Sequence, residues 1–113
     1  MTLGVSPTDV QTMRGCLLEV GFGFLKENLD DDLRASVRAV KQLFERIAAA
    51  QEQNADHLEL ASDELGLAIR CIQYTMEDLD PGEFCTRVGA LFEEAARTLA
   101  KLEAASHAAR AEG

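Results

Sequence analysis

The run LRASVRAVKQLFERIAAAQEQNADHLELASDELGLAIRCIQYTMEDL, from Leu33 to Leu79, decides the architecture of this chain. Leu33, Val37, Val40, Phe44 and Ile47 recur at the alternating 4 and 3 spacing of an apolar stripe on one helix face. Continued, the alternation meets Gln51 and Asn54, then Leu58, Ala61, Leu65, Ala68, Ile72, Thr75 and Leu79. Read as one heptad register, the run is a helix of about 75 Å, which needs a partner chain along its length. The register turns polar at Gln51 and Asn54, however, and Asp56-His57-Leu58-Glu59 offers a new cap with an acidic third position. A turn near Asn54 folds the run into an antiparallel helical hairpin, burying both stripes within one chain. The hairpin is the expectation, and a long central helix in a dimeric coiled-coil assembly is its alternative.

Flanking this run, two helix starts share one grammar. Ser6-Pro7-Thr8-Asp9 and Asp80-Pro81-Gly82-Glu83 each place a capping side chain, a proline at the first helical position and a carboxylate two residues on. The cap accepts from a free backbone N–H, and proline removes one that had no partner. The carboxylate suits the positive helix end. After the first start, Val10, Met13, Leu17, Val20 and Phe24 form one stripe. Gly15, Gly21 and Gly23 share that segment, each costing about 1 kcal/mol against Ala in a helix interior. They mark either a kink near Gly21-Phe22-Gly23 or close approach by a neighbouring helix. After the second start come Phe84, Val88, Leu91, Ala95, Leu99 and Leu102, before an Ala-rich tail. The expected fold is all-α: a single domain over 1–113, a four-helix antiparallel bundle with helices at about 7–27, 30–53, 56–79 and 81–108.

Composition agrees with helix. Apolar residues make up 47% of the 113 and aromatics only 5%, with no Trp and two prolines. Alanine and leucine dominate, and both favour helix over strand. A core this poor in aromatics is thin, which predicts a homodimer to bury more apolar surface. With 20 acidic and 11 basic residues the net charge is −9, against direct binding of nucleic acid or anionic lipid. The opening residues carry no basic run ahead of a long apolar one, so no signal peptide is read there. The most apolar window, Gly15 to Leu25, is too short to span a bilayer. Cys16, Cys71 and Cys85 lack CxxC or CxxH spacing, so buried thiols in a reducing cytoplasm are expected.

No phosphate-binding glycine loop, HExxH or ExxH stands in the chain, and His57 and His107 lie on predicted helical segments amid charged neighbours with nothing local to select either. No enzyme activity, metal or cofactor is expected. Two features point to binding. Arg34, Arg38 and Lys41, at i, i+4 and i+7, make a basic ridge on the second helix, facing either nearby carboxylates such as Glu45 or an acidic partner. Phe22 and Phe24 sit where the first helix is richest in glycine, as core residues or as anchors for a partner.

One stretch, Asp56-His57-Leu58-Glu59-Leu60-Ala61-Ser62, resembles the histidine-bearing helix of histidine phosphotransfer domains. These are four-helix bundles of about this size, and the resemblance implies phosphoryl transfer at His57. The family places an apolar residue after its histidine, then a lysine that helps hold the phosphoryl group and a small residue; here acidic Glu59 and apolar Leu60 fall in the last two places and the lysine is missing. The expected function is therefore a non-enzymatic, adaptor-like or chaperone-like module that binds another protein. The alternatives are phosphotransfer at His57 and an acidic inhibitor of a nucleic-acid-binding protein.

Overall fold

The computed structural model describes residues 1–22 and 31–112, with side chains described as far as Arg110. The described residues are mostly helical, at 79%. In order, the elements are β1 (Thr2–Gly4), α1 (Pro7–Phe22), α2 (Asp31–Ala35), α3 (Val37–Glu52), β2 (His57–Glu59), α4 (Ser62–Asp78), α5 (Pro81–Val88) and α6 (Phe92–Glu112). Six helices are thus described where four were expected, together with a small sheet that was not expected.

Both proline starts are present. Ser6 Oγ accepts from the Asp9 N–H at 3.1 Å while the Asp9 carboxylate accepts from the Ser6 N–H at 2.9 Å, a reciprocal capping box. Asp80 caps α5 by accepting from the Glu83 N–H at 2.8 Å, with Pro81 in the first turn.

The Leu33 to Leu79 run is broken where its register turned polar. Asn54 takes a left-handed φ of 53°. Around it the Ala55 N–H reaches the Ala50 carbonyl at 3.0 Å, and the Asn54 N–H reaches that of Gln51 at 3.1 Å. These paired bonds form a Schellman motif, which satisfies the orphan carbonyls of α3 and turns the chain away. The chain does not resume as a helix at once. Residues His57–Glu59 pair antiparallel with Thr2–Gly4, Leu3 opposite Leu58, and both leucines are buried. The expected helix over 56–79 therefore begins only at Ser62, where Glu64 accepts from the Ala61 N–H at 2.8 Å.

Two further breaks divide expected helices. Ser36 Oγ donates back to the Asp32 carbonyl at 2.9 Å and its N–H reaches Leu33 at 3.0 Å, a tight turn that separates α2 from α3. Gly89, at φ 84°, ends α5 in the left-handed conformation. At the start of α6 the Leu91 N–H donates to Glu94 at 3.0 Å. Phe84 and Phe92 meet edge to face across this corner, 5.5 Å between centroids.

α1 is the hub. It packs most extensively on α3, then on α4, α5 and α6, whereas α3 and α4 touch each other little. The stripe Val10, Met13, Leu17 and Val20 is buried, joined by Val40, Leu43 and Ile47 from α3 and by Leu65, Ala68 and Ile72 from α4. On α3 the buried line is thus 40, 43, 47, while Val37 and Phe44 are only partly covered. Close approach is found at Gly15 and Gly21, while Gly23, on which the kink reading depends, lies outside the described residues. A Cβ on Gly15 would lie 2.5 Å from the Val88 carbonyl oxygen, and one on Gly21 3.2 Å from Val40 Cγ1. Among the described residues no helix is long and apolar enough to cross a membrane.

Candidate functional site

At its C-terminal end α1 lies against α3 and leaves a ring exposed. Phe22, in the last turn of α1, is 51% exposed yet held in place. It meets Phe44 of α3 edge to face, with centroids 5.3 Å apart at 60°. Lys41 Nζ lies 5.1 Å from the Phe22 ring centre, and the Arg14 guanidinium lies 5.4 Å from that of Phe44. Each cation faces the negative face of an aromatic quadrupole, an arrangement worth about 0.5–1 kcal/mol at exposed sites. The geometry arises from local spacing. Lys41 and Phe44 are three apart on α3 and share a face, and Gly21 lets that face come close to α1. The result is a shelf of two rings flanked by two cations.

Of the residues singled out from sequence, Phe22 and Lys41 meet here. Arg38 is exposed three residues before Lys41 on the same helix. Arg34 stands on α2, beyond the Ser36 turn, so the expected ridge on one continuous helix is divided. Phe24 lies outside the described residues. Phe44, assigned to the core stripe, and Arg14, not singled out, complete the shelf; the Lys41-to-Phe44 spacing was the available signal for the first.

His57 is placed on β2, on the exposed face of the sheet, not on a helix. Its Nδ1 is 2.7 Å from the Asp56 carboxylate, which this hydrogen bond and the imidazole's charge hold below the usual carboxylate range. The phosphotransfer resemblance implied a helix face for His57; it stands instead on a strand paired with β1.

A second feature, unforeseen in the sequence, is a polar seam inside the fold. Asp9, Thr12, Cys16 and Glu19 follow the same 3–4–3 spacing as the apolar stripe one residue on, and all four are buried. Asp9, 5% exposed, accepts from Thr98 Oγ1 at 2.7 Å and pairs with Lys101. Burial by itself pushes the Asp9 pKa up. The hydrogen bonds from Lys101, the Ser6 N–H and Thr98, with the charge of Lys101, outweigh it and leave the carboxyl below its ordinary value. Glu19 accepts from Arg87 at 2.6 Å, tying α1 to α5. Burial also pushes the Cys16 thiol up, and that of Cys71 to about 12, so both are inert small hydrophobes rather than nucleophiles. Thr12 Oγ1 is buried with no hydrogen-bond partner among the described residues.

Around the N-terminal turn of α1 run three adjoining cavities of about 310, 300 and 320 Å³. Pro7 and Gln51 border the first and second, and Thr8 and Glu94 the second and third. Their polar groups largely engage one another. Gln51 donates to Gln11 at 2.7 Å, Gln11 donates to the Val88 carbonyl at 2.8 Å, and Lys101 is paired with Asp9.

Compared with known families, curated proteins and solved structures, the chain matches none.

Proposed function

We propose that this protein is a non-enzymatic binding module that docks on another protein through the Phe22–Phe44 shelf. The observation carrying this reading is the Phe22 ring, half exposed but pinned from the side by Phe44 and on its face by Lys41. Holding an aromatic in one orientation before binding lowers the entropy lost on docking, and aromatic rings dominate the energetics of many interfaces. The buried seam supports the same reading from the other side. Its carboxylates are held by Lys101, Thr98 and Arg87 inside the fold, where they fix helix positions.

A photo-crosslinking side chain at position 22, expressed in the cells the protein comes from, tests this directly. The same side chain at position 103, exposed on α6, is the control. A discrete adduct from position 22, absent from 103 and weakened by Lys41→Glu, is the expected result. Equal labelling from both positions, or none from 22, overturns the reading.

A further inference from the structure

The shelf also carries information about what it binds. The chain has 20 carboxylates against 11 Lys and Arg. Four of the cations away from the shelf find them, Arg46 with Glu64, Arg70 with Asp32, Arg87 with Glu19 and Lys101 with Asp9, while Arg97 and Arg110 join no ion pair among the described residues. On the shelf none does. Among the described residues, Arg14, Arg38 and Lys41 make no ion pair with a carboxylate, although acidic side chains outnumber basic ones almost two to one. Glu45, four residues beyond Lys41 and the expected partner of the ridge, pairs with neither it nor Arg38. Two of the three cations are turned onto aromatic faces instead. Among the described residues the shelf thus gathers three cations without a carboxylate partner, on a chain of net charge −9.

Its apolar part is small. Among the described residues the exposed large hydrophobics are Met1, Phe22 and Leu91. Met1 precedes β1 and Leu91 precedes α6, so the shelf itself offers one exposed ring. A stable interface between folded proteins buries about 800 Å² on each side around an apolar centre, more than one ring and its cations provide. A short segment with one anchoring side chain fits that footprint, and the surrounding cations specify its charge.

We infer that the shelf takes a short acidic peptide segment with one aromatic or aliphatic anchor. The anchor lies on the exposed part of Phe22, and flanking carboxylates meet Lys41, Arg38 and Arg14. This rests on the reading of the shelf as the docking surface and names the partner's chemistry. Guanidinium and ammonium groups already oriented over rings present their remaining N–H donors to a carboxylate. The same charges repel a basic segment and steer an acidic one, over a range of about 8 Å at physiological ionic strength.

The test titrates the isotope-labelled full chain with synthetic probes, followed by amide and aromatic NMR shifts. One pentapeptide has Trp flanked by two acidic residues on each side. A second replaces Trp with Ala, and a third replaces the acids with Lys. The acidic Trp peptide should shift residues around Phe22 and Phe44, with affinity falling as salt is raised. Phe22→Ala, or Arg38→Glu with Lys41→Glu, should each weaken it about tenfold, and the other two peptides should bind at least about tenfold more weakly. These side chains are exposed or half-buried, and circular dichroism checks that each variant still folds. Equal binding of the lysine peptide, or acidic binding indifferent to Phe22→Ala, overturns the inference. So does light scattering that shows a dimer dissolved by Phe22→Ala, which would make a second copy the occupant. A crosslinked partner at position 22 that the acidic peptide does not displace overturns the acidic chemistry while leaving the docking surface standing.

Discussion

The middle of α1 and the shelf where α1 ends against α3 belong to one helix and obey opposite rules. Between Asp9 and Gly21 the helix is covered nearly all round, and its polar side chains are turned inward beside apolar ones. At Phe22 an aromatic is left outside and cations are laid over rings, with no carboxylate partner among the described residues. In the first region nearly every polar atom is matched by a partner supplied by another element, so structure there is set by complementarity across the fold. In the second, apolar area and charge are left uncompensated. Leaving them so serves folding poorly and suits the docking surface proposed above.

The comparison breaks most visibly at Gly15. A side chain there collides with the backbone of α5, since even a Cβ would sit 2.5 Å from the Val88 oxygen and 2.9 Å from its Cα. Gly15→Leu should cost about 3 kcal/mol or more, above the usual range for overpacking because backbone has to move. Urea denaturation measures it; a loss below about 1 kcal/mol would mean that α5 is free to retreat from α1.

Asp9→Asn comes next. The carboxylate is buried, but Lys101 is 43% exposed and can return to water when its partner goes. The expected loss at neutral pH is therefore about 2 kcal/mol, short of the 3–5 typical of a fully buried pair. The sign with pH is set by the lowered pKa of Asp9. Its contribution is fully present above the unfolded-state value of about 3.9 and is lost as pH falls through the lower folded-state value. Wild type and variant should thus differ by a constant amount near neutrality and converge only below about pH 4. A gap that closes between about pH 5 and 7 would contradict a depressed Asp9.

Both substitutions concern features that the sequence half discloses. The capping box of Ser6 and Asp9 is legible because it is local, four residues long and chemically specific, and so is the cap at Asp80. The break at Asn54 is legible for a similar reason, as the point where an apolar register turns polar. The seam is not. Asp9, Thr12, Cys16 and Glu19 keep helical spacing, but a buried carboxylate looks like a solvated one until Lys101, 92 residues on, is placed beside it. The sheet was hidden in the same way. Three-residue strands have no readable alternation, and β1 and β2 pair across more than 50 residues. Ser36 and Gly89 divide helices through single residues that are tolerated within helices elsewhere. Of the shelf, Phe22 and Lys41 could be named, but that they face each other depends on how closely α1 and α3 approach at Gly21.

Thr12→Val tests the seam where its matching fails. The hydroxyl is buried with no hydrogen-bond partner among the described residues, and such a group costs about 1–3 kcal/mol against an apolar isostere. Valine keeps the branched shape and removes the unmet polar atom, so the variant should gain about 1 kcal/mol and melt higher. A lower melting temperature would show the hydroxyl to be engaged, and the seam matched throughout.

The smallest effect on stability is expected at the shelf, and its smallness is the point. Phe22→Ala removes a ring that is already 51% exposed. The loss comprises one edge-to-face contact with Phe44 and one exposed cation–π contact with Lys41. Each is worth about 0.5–1 kcal/mol or slightly more. Against this, alanine is the better helix former, by several tenths of a kcal/mol, and it leaves less apolar surface in water. The net change should stay below about 1 kcal/mol, a shift of only a few degrees in melting temperature for a domain of this size. A residue that folding barely needs, yet held in one orientation by two neighbours, is what the proposed docking surface calls for. Were Phe22→Ala to cost as much as Gly15→Leu, the ring would be part of the core after all. The contrast between the two ends of α1 would then collapse into a single packed helix.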